Sequence, residues 1–198
     1  MAVMVYENGA LAFALFQFLA WAFAFVATPT AQFQTAGHGC YTMWGYRDYC
    51  GRVAYNTTGV AAFGCQARAS TMTSAAAFGV ISTTLTFVTF ILAILMNSRF
   101  QAKVPVVLVF GLSSASIATT LVSWACVAAV KVLPMCGAKF QYGYTAGFAL
   151  MVASWGMEII ATVFLFLFAS GERIDEVHSD LESSDEEFEP KRQQPIEG

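Results

Sequence analysis

Four long apolar runs dominate the chain: Gly9 to Ala27, Ala75 to Met96, Val106 to Val130 and Thr145 to Ala169. Each holds 19 to 25 residues, and about 20 helical residues cross a hydrocarbon core of about 30 Å. A soluble protein can bury one such helix, but four of them need a charged exterior to stay dispersed. Only 12% of the 198 residues are charged, about half the usual share. The expected fold class is therefore an integral membrane protein, mainly α, with four transmembrane helices.

The segment before the first run has no Lys or Arg and carries Glu7, and the run exceeds the usual core of a secretory signal, so it reads as a retained helix. Four crossings put both termini on one side and two loops, 28–74 and 131–144, on the other. The basic residues do not orient the chain. Arg99, Lys103, Arg173, Lys191 and Arg192 on the terminal side balance Arg47, Arg52, Arg68, Lys131 and Lys139 on the loop side. The cysteines do orient it. Cys40, Cys50, Cys65 and Cys136 all fall in the two loops, as expected for disulfide candidates in an oxidising space. Four cysteines allow three pairings. The sequon Asn56-Thr57-Thr58 makes Asn56 a glycosylation candidate on the same side. The loops are expected outside and both termini in the cytoplasm.

The long loop is rich in aromatic and β-branched residues between glycines. Thr30 to Thr35, Cys40 to Trp44, Arg52 to Thr57 and Val60 to Gln66 read as strands of a small extracellular antiparallel sheet. So small a sheet needs support from the helix ends and from disulfides.

Within this loop lies Cys40-Tyr41-Thr42-Met43-Trp44-Gly45-Tyr46-Arg47-Asp48-Tyr49-Cys50. It resembles the signature of the amastins, surface glycoproteins of trypanosomatid parasites. Cys40, Thr42, Trp44, Gly45, Arg47 and Cys50 carry the match, while Met43 and Tyr49 depart from it. The resemblance extends to four helices and a length near 200 residues. It implies a claudin-like, left-handed four-helix bundle topped by an extracellular sheet, in the plasma membrane, with no established biochemical activity. Tetraspanins, by contrast, place their large loop between helices three and four. From the residues alone, the signature is either a disulfide-stapled corner or a contact surface through Tyr46, Arg47 and Tyr49. In the second case the outer loop meets a host or membrane surface, or a second copy of the chain.

Glu158 is the one acidic residue inside an apolar run, 13 positions from Thr145 and 11 from Ala169, hence near the bilayer midplane. A charge is costly there. Ser154 and Thr162 flank it on the same helix face. Gln17, Thr84, Thr86, Thr119 and Thr120 lie near the centres of the other runs. The expectation is an intramembrane polar layer, either as interhelical hydrogen bonding or as a proton or ion path in a channel or transporter component. Gly111-x-x-x-Ala115 suits close helix approach, expected within the monomer, and Cys126 is expected as a buried thiol.

The net charge of -3 divides unevenly. Residues 172–198 hold ten acidic and three basic residues, leaving the body at +4. This tail is expected to be a disordered cytoplasmic segment. Ser179, Ser183 and Ser184 each precede an acidic residue by three positions, which makes them phosphorylation candidates and the tail a possible adaptor site. The scattered basic residues of the body form no nucleic-acid surface. No catalytic residues, metal ligands or cofactor motifs emerge, since His38 and His178 fall on opposite sides and no HExxH, CxxC, P-loop or GxSxG pattern occurs. The expected role is a structural or interaction module embedded in the lipid bilayer, not an enzyme.

Overall fold

A computed structural model describes the backbone of residues 2–97 and 105–186 and the side chains of 11–97 and 105–167. Four long helices carry the architecture: α1 (Ala2–Ala27), α3 (Gln66–Asn97), α4 (Val106–Val132) and α5 (Ala146–Glu186). A short helix, α2 (Gly59–Phe63), leads into α3. Five short strands complete the fold: β1 (Phe33–Gln34), β2 (Cys40–Tyr41), β3 (Gly45–Arg47), β4 (Thr57–Thr58) and β5 (Gly143–Tyr144). Gln66–Asn97, Val106–Val132 and Ala146–Leu167 are long and apolar enough to cross a membrane, and α1 contains the shorter apolar stretch Leu11–Ala27. Helix α1 packs against α3 and α5, and α4 packs against the same two.

The helices present their interior faces at alternating spacings of three and four. On α5 the buried residues are Met151, Ser154, Glu158, Ala161 and Leu165, the stripe by which a helix meets its neighbours in a bundle. Two apolar clusters result. One, near the sheet, joins Phe33, Met43, Phe63, Met72, Val127 and Met151. The other, at the far end, joins Phe13, Ala93, Val109, Ala161 and Leu165. Exposed Leu, Phe, Val and Ile residues cover the outer faces of all four long helices, and these faces meet the hydrocarbon of the bilayer.

The sheet is antiparallel throughout, in the order β4-β3-β2-β1-β5. It caps the end where α1 and α4 finish and where α3 and α5 begin. Gly45 permits the β3–β4 approach, because a Cβ there would run into the Thr57 carbonyl oxygen and stand 3.2 Å from Thr58. The segment Val60 to Gln66, expected as a strand, is instead α2 and the start of α3. Ala61 and Ala62 favour helix, and Gly64 ends α2 in the left-handed conformation at φ 77°. Strand β5, from the second loop, joins a sheet expected from the first loop alone.

Three further expectations are corrected. Helix α3 begins nine residues before Ala75, because Thr71 and Thr73 bond to the carbonyls of Ala67 and Ala69 and so satisfy their hydroxyls within a helical turn. The backbone of 172–186 is helical, continuing α5, where disorder was expected; extending an existing helix avoids the nucleation cost. Gly111 and Ala115 are exposed on α4 and nothing comes within 4 Å of a Cβ at Gly111, so this pair does not pack within the monomer. The side chains of Ser179, Ser183 and Ser184 and all of 187–198 lie outside the described residues.

Candidate functional site

Two polar features stand out, one in the sheet and one between the two apolar clusters. In the sheet, the signature hairpin is organised by Thr42. Its Oγ1 accepts from the backbone N–H of Trp44 at 3.2 Å and of Gly45 at 3.3 Å, closing the turn between β2 and β3. The same oxygen lies 3.3 Å from the Tyr55 hydroxyl. Arg47 donates to that hydroxyl at 2.8 Å and sits over the Tyr55 ring, 4.3 Å from its centroid. Thr42, Gly45 and Arg47 of the signature thus have internal duties. Trp44 is exposed.

The loop from β3 to β4 is exposed along residues 48–54. Tyr49 is 55% and Val53 85% exposed, and Arg52 lies over the Tyr49 ring at 5.2 Å. Asn56 closes the base of this loop. Its Nδ2 donates to the Asp48 carboxylate while its Oδ1 accepts from the Asp48 backbone N–H at 2.9 Å. The sequon asparagine is exposed but held.

Of the four disulfide candidates, Cys65 and Cys136 are joined, tying α3 to the 133–142 loop. Cys40 and Cys50 are free thiols, a departure from their role as disulfide candidates. The two thiols are neighbours: Cys40 is buried with Cys50 beside it, and Cys50 donates to the His38 carbonyl at 3.5 Å. Burial, with Cys50 adjoining, pushes the Cys40 thiol up to about 12. Cys126 is half-buried and free.

Between the apolar clusters every long helix turns polar. Gln17 on α1, Ser82, Thr86 and Thr89 on α3, Ser113, Ser116, Thr120 and Ser123 on α4, and Ser154 and Glu158 on α5 are all buried. Glu158, 1% exposed, lies about 18 Å along the helix from Ala146. Ser116 donates to its Oε1 at 2.8 Å and Thr120 reaches its Oε2 at 3.1 Å. The hydroxyls of Ser82 and Thr120 are hydrogen-bonded to each other, carrying the network onto α3. Ser154 donates to the Ala20 carbonyl of α1 at 2.8 Å. Gln17 is 1% exposed, and among the described residues neither its amide atoms nor the Ser113 hydroxyl has a partner.

This arrangement corrects three members of the expected layer. Thr84 is exposed and bonds to the Val80 carbonyl. Thr119 bonds to Ala115 and Thr162 to the backbone of Glu158. All three have the right depth but satisfy their hydroxyls on their own helix. Ser82, Ser113 and Ser116 were missed, although each lies four residues from Thr86 or Thr120, or seven from the latter, on one helix face.

Apolar helices with lipid-facing exteriors, capped at one end by a sheet and a disulfide-stapled loop, define a multi-span membrane protein. A family model described as amastin surface glycoprotein matches residues 18–165, and the chain belongs to that family. No curated protein and no solved structure matches it.

Proposed function

We propose that this amastin is a non-enzymatic surface module that crosses the membrane four times and uses its outer sheet for membrane contact or adhesion. In this reading the four helices form a claudin-like bundle in the plasma membrane, Asn56 carries a glycan, and both termini are cytoplasmic. The observation that carries it is the β3–β4 loop. Tyr49, Arg52 and Val53 project from a rigid base clamped by Asp48 and Asn56. An apolar and a basic residue on a fixed support suit a contact surface, because little ordering remains to be done on binding.

Changing Tyr49, Arg52 and Val53 together to Ser tests this reading. Vesicle or cell aggregation is expected to fall at least tenfold with surface delivery unchanged; unaltered aggregation overturns it. Orientation is checked on a non-reducing gel with and without glycosidase. A shift that disappears in Asn56→Gln supports the outer placement of the loop. A second reading, passage of protons or ions past Glu158, is favoured by the hydroxyl network that surrounds this carboxyl at mid-helix.

A further inference from the structure

We propose that the polar band between the two apolar clusters binds one small monovalent cation, held by the Glu158 carboxyl oxygens with the hydroxyl oxygens of Ser116 and Thr120 and the Gln17 amide oxygen. Four observations converge on it. Glu158 is the only charged residue within 11–27, 69–97, 106–130 and 146–167, so no basic side chain in these segments neutralises it. A buried charge without a partner is strongly unfavourable, so the carboxyl is either protonated or paired, and a bound cation supplies the partner for its charged form.

The donor set then selects the ion. The side chains of α3 and α4 hydrogen-bonded to Glu158 are the hydroxyls of Thr86, Ser116 and Thr120, with the Ser82 hydroxyl bonded to Thr120 behind them. These are hard oxygen donors, which suit alkali and alkaline-earth ions over thiophilic metals. No cluster of three or more His, Cys, Asp or Glu occurs among the described residues. One carboxylate and one monovalent ion make a neutral unit, whereas a divalent ion leaves a net positive charge inside the membrane span.

Gln17 is the independent pointer. It sits between the clusters on α1, three residues before Ala20, where Ser154 docks, and one after Phe16, which stacks on Phe164 at 5.4 Å. These contacts bracket Glu158 on α5 and place Gln17 within about two turns of it along the bundle. A fully buried amide with no partner costs stability, and ligation of its oxygen recovers part of that cost. The Ser113 hydroxyl, also buried and unpartnered, lies one turn from Ser116 on the same face.

Thermal unfolding of the full purified chain in detergent micelles provides the test, comparing sodium chloride with choline chloride at equal ionic strength. Sodium is expected to raise the Tm saturably, by roughly 5 °C at concentrations far above Kd. Glu158→Gln is expected to melt identically in both salts. Gln17→Leu and Ser116→Ala are expected to need at least severalfold more sodium for half the effect, and they carry the test if Glu158→Gln does not fold. Equal melting of the unaltered chain in both salts overturns the proposal, as does a sodium response that persists in Glu158→Gln or is unchanged in both other variants. The inference rests on the second reading only for the place of Glu158. Sodium flux into vesicles without a Tm shift leaves passage standing and removes the site; a shift without flux does the reverse.

Discussion

Arg68 on the first turn of α3 grips the second loop by its backbone: its guanidinium donates to the Met135 carbonyl at 2.9 Å and also to that of Ala138. The same group stands over the Phe140 ring at 5.5 Å. Both bonds leave one terminal nitrogen, Nη2, while the planar group covers the ring, and that flat face is what an ammonium lacks. Arg68→Lys is therefore expected to destabilise the fold by about 1–2 kcal/mol, and Arg68→Ala by more, read as a drop in Tm. Equal stability of Arg68→Lys and the unaltered chain would count against this grip.

Cys40 and Cys50 are expected to differ sharply as nucleophiles. The thiolate is the reactive form, and with the Cys40 thiol pushed up to about 12 almost none is present at neutral pH. Cys50 is exposed. In folded chain with both thiols reduced, iodoacetamide at pH 8 should label Cys50 at least tenfold faster than Cys40, measured by peptide mass spectrometry. Labelling of Cys40 should rise only near pH 12 or on unfolding. Comparable rates at pH 8 would contradict the burial of Cys40.

Two glycines are expected to respond oppositely to a methyl group. At Gly45 the added Cβ meets the Thr57 carbonyl oxygen, so Gly45→Ala should cost about 1–3 kcal/mol by overpacking. At Gly111 nothing lies within 4 Å, and Gly111→Ala should be neutral or stabilising by up to about 1 kcal/mol through helix propensity. Unfolding in micelles reads both, and a loss of stability at Gly111 would show that its face is packed.

Ser154 fastens α5 to α1 through the Ala20 carbonyl. Ser154→Ala removes a buried donor from an acceptor already bonded within its helix, so a modest loss of about 0.5–1.5 kcal/mol is expected. A Cys pair placed at lipid-exposed positions of α1 and α5 would report separation of the two helices by crosslinking yield.

The apolar runs were legible because lipid demands a whole length of side chains without charge, and length survives in sequence. Helix ends were not. Thr71 and Thr73 look like loop residues until their hydroxyls are seen to close on Ala67 and Ala69. Depth was legible at Glu158, Gln17, Thr86 and Thr120, since it is a count from the ends of a run. Facing was not, because it turns by about 100° per residue; that rotation separates buried Thr86 from exposed Thr84. In the loop, the signature marked the hairpin turn at Thr42 and Gly45. Strand β5 stayed hidden because Gly143 and Tyr144 become a strand only through pairing with Gln34 and Phe33.

That last pairing sets a schedule for the protein's birth. Strands β1 and β5 are about 110 residues apart, so at ribosomal speeds of about 5–20 residues per second one edge of the sheet waits roughly 5–20 s for its partner to be made. The Cys65–Cys136 bond waits for the same stretch of chain. A nascent molecule that has not yet made its second loop keeps that edge of β1 unpaired and the Cys65 thiol unspent. The sheet therefore closes only after α4 and the second loop have been made, immediately ahead of α5 in the chain.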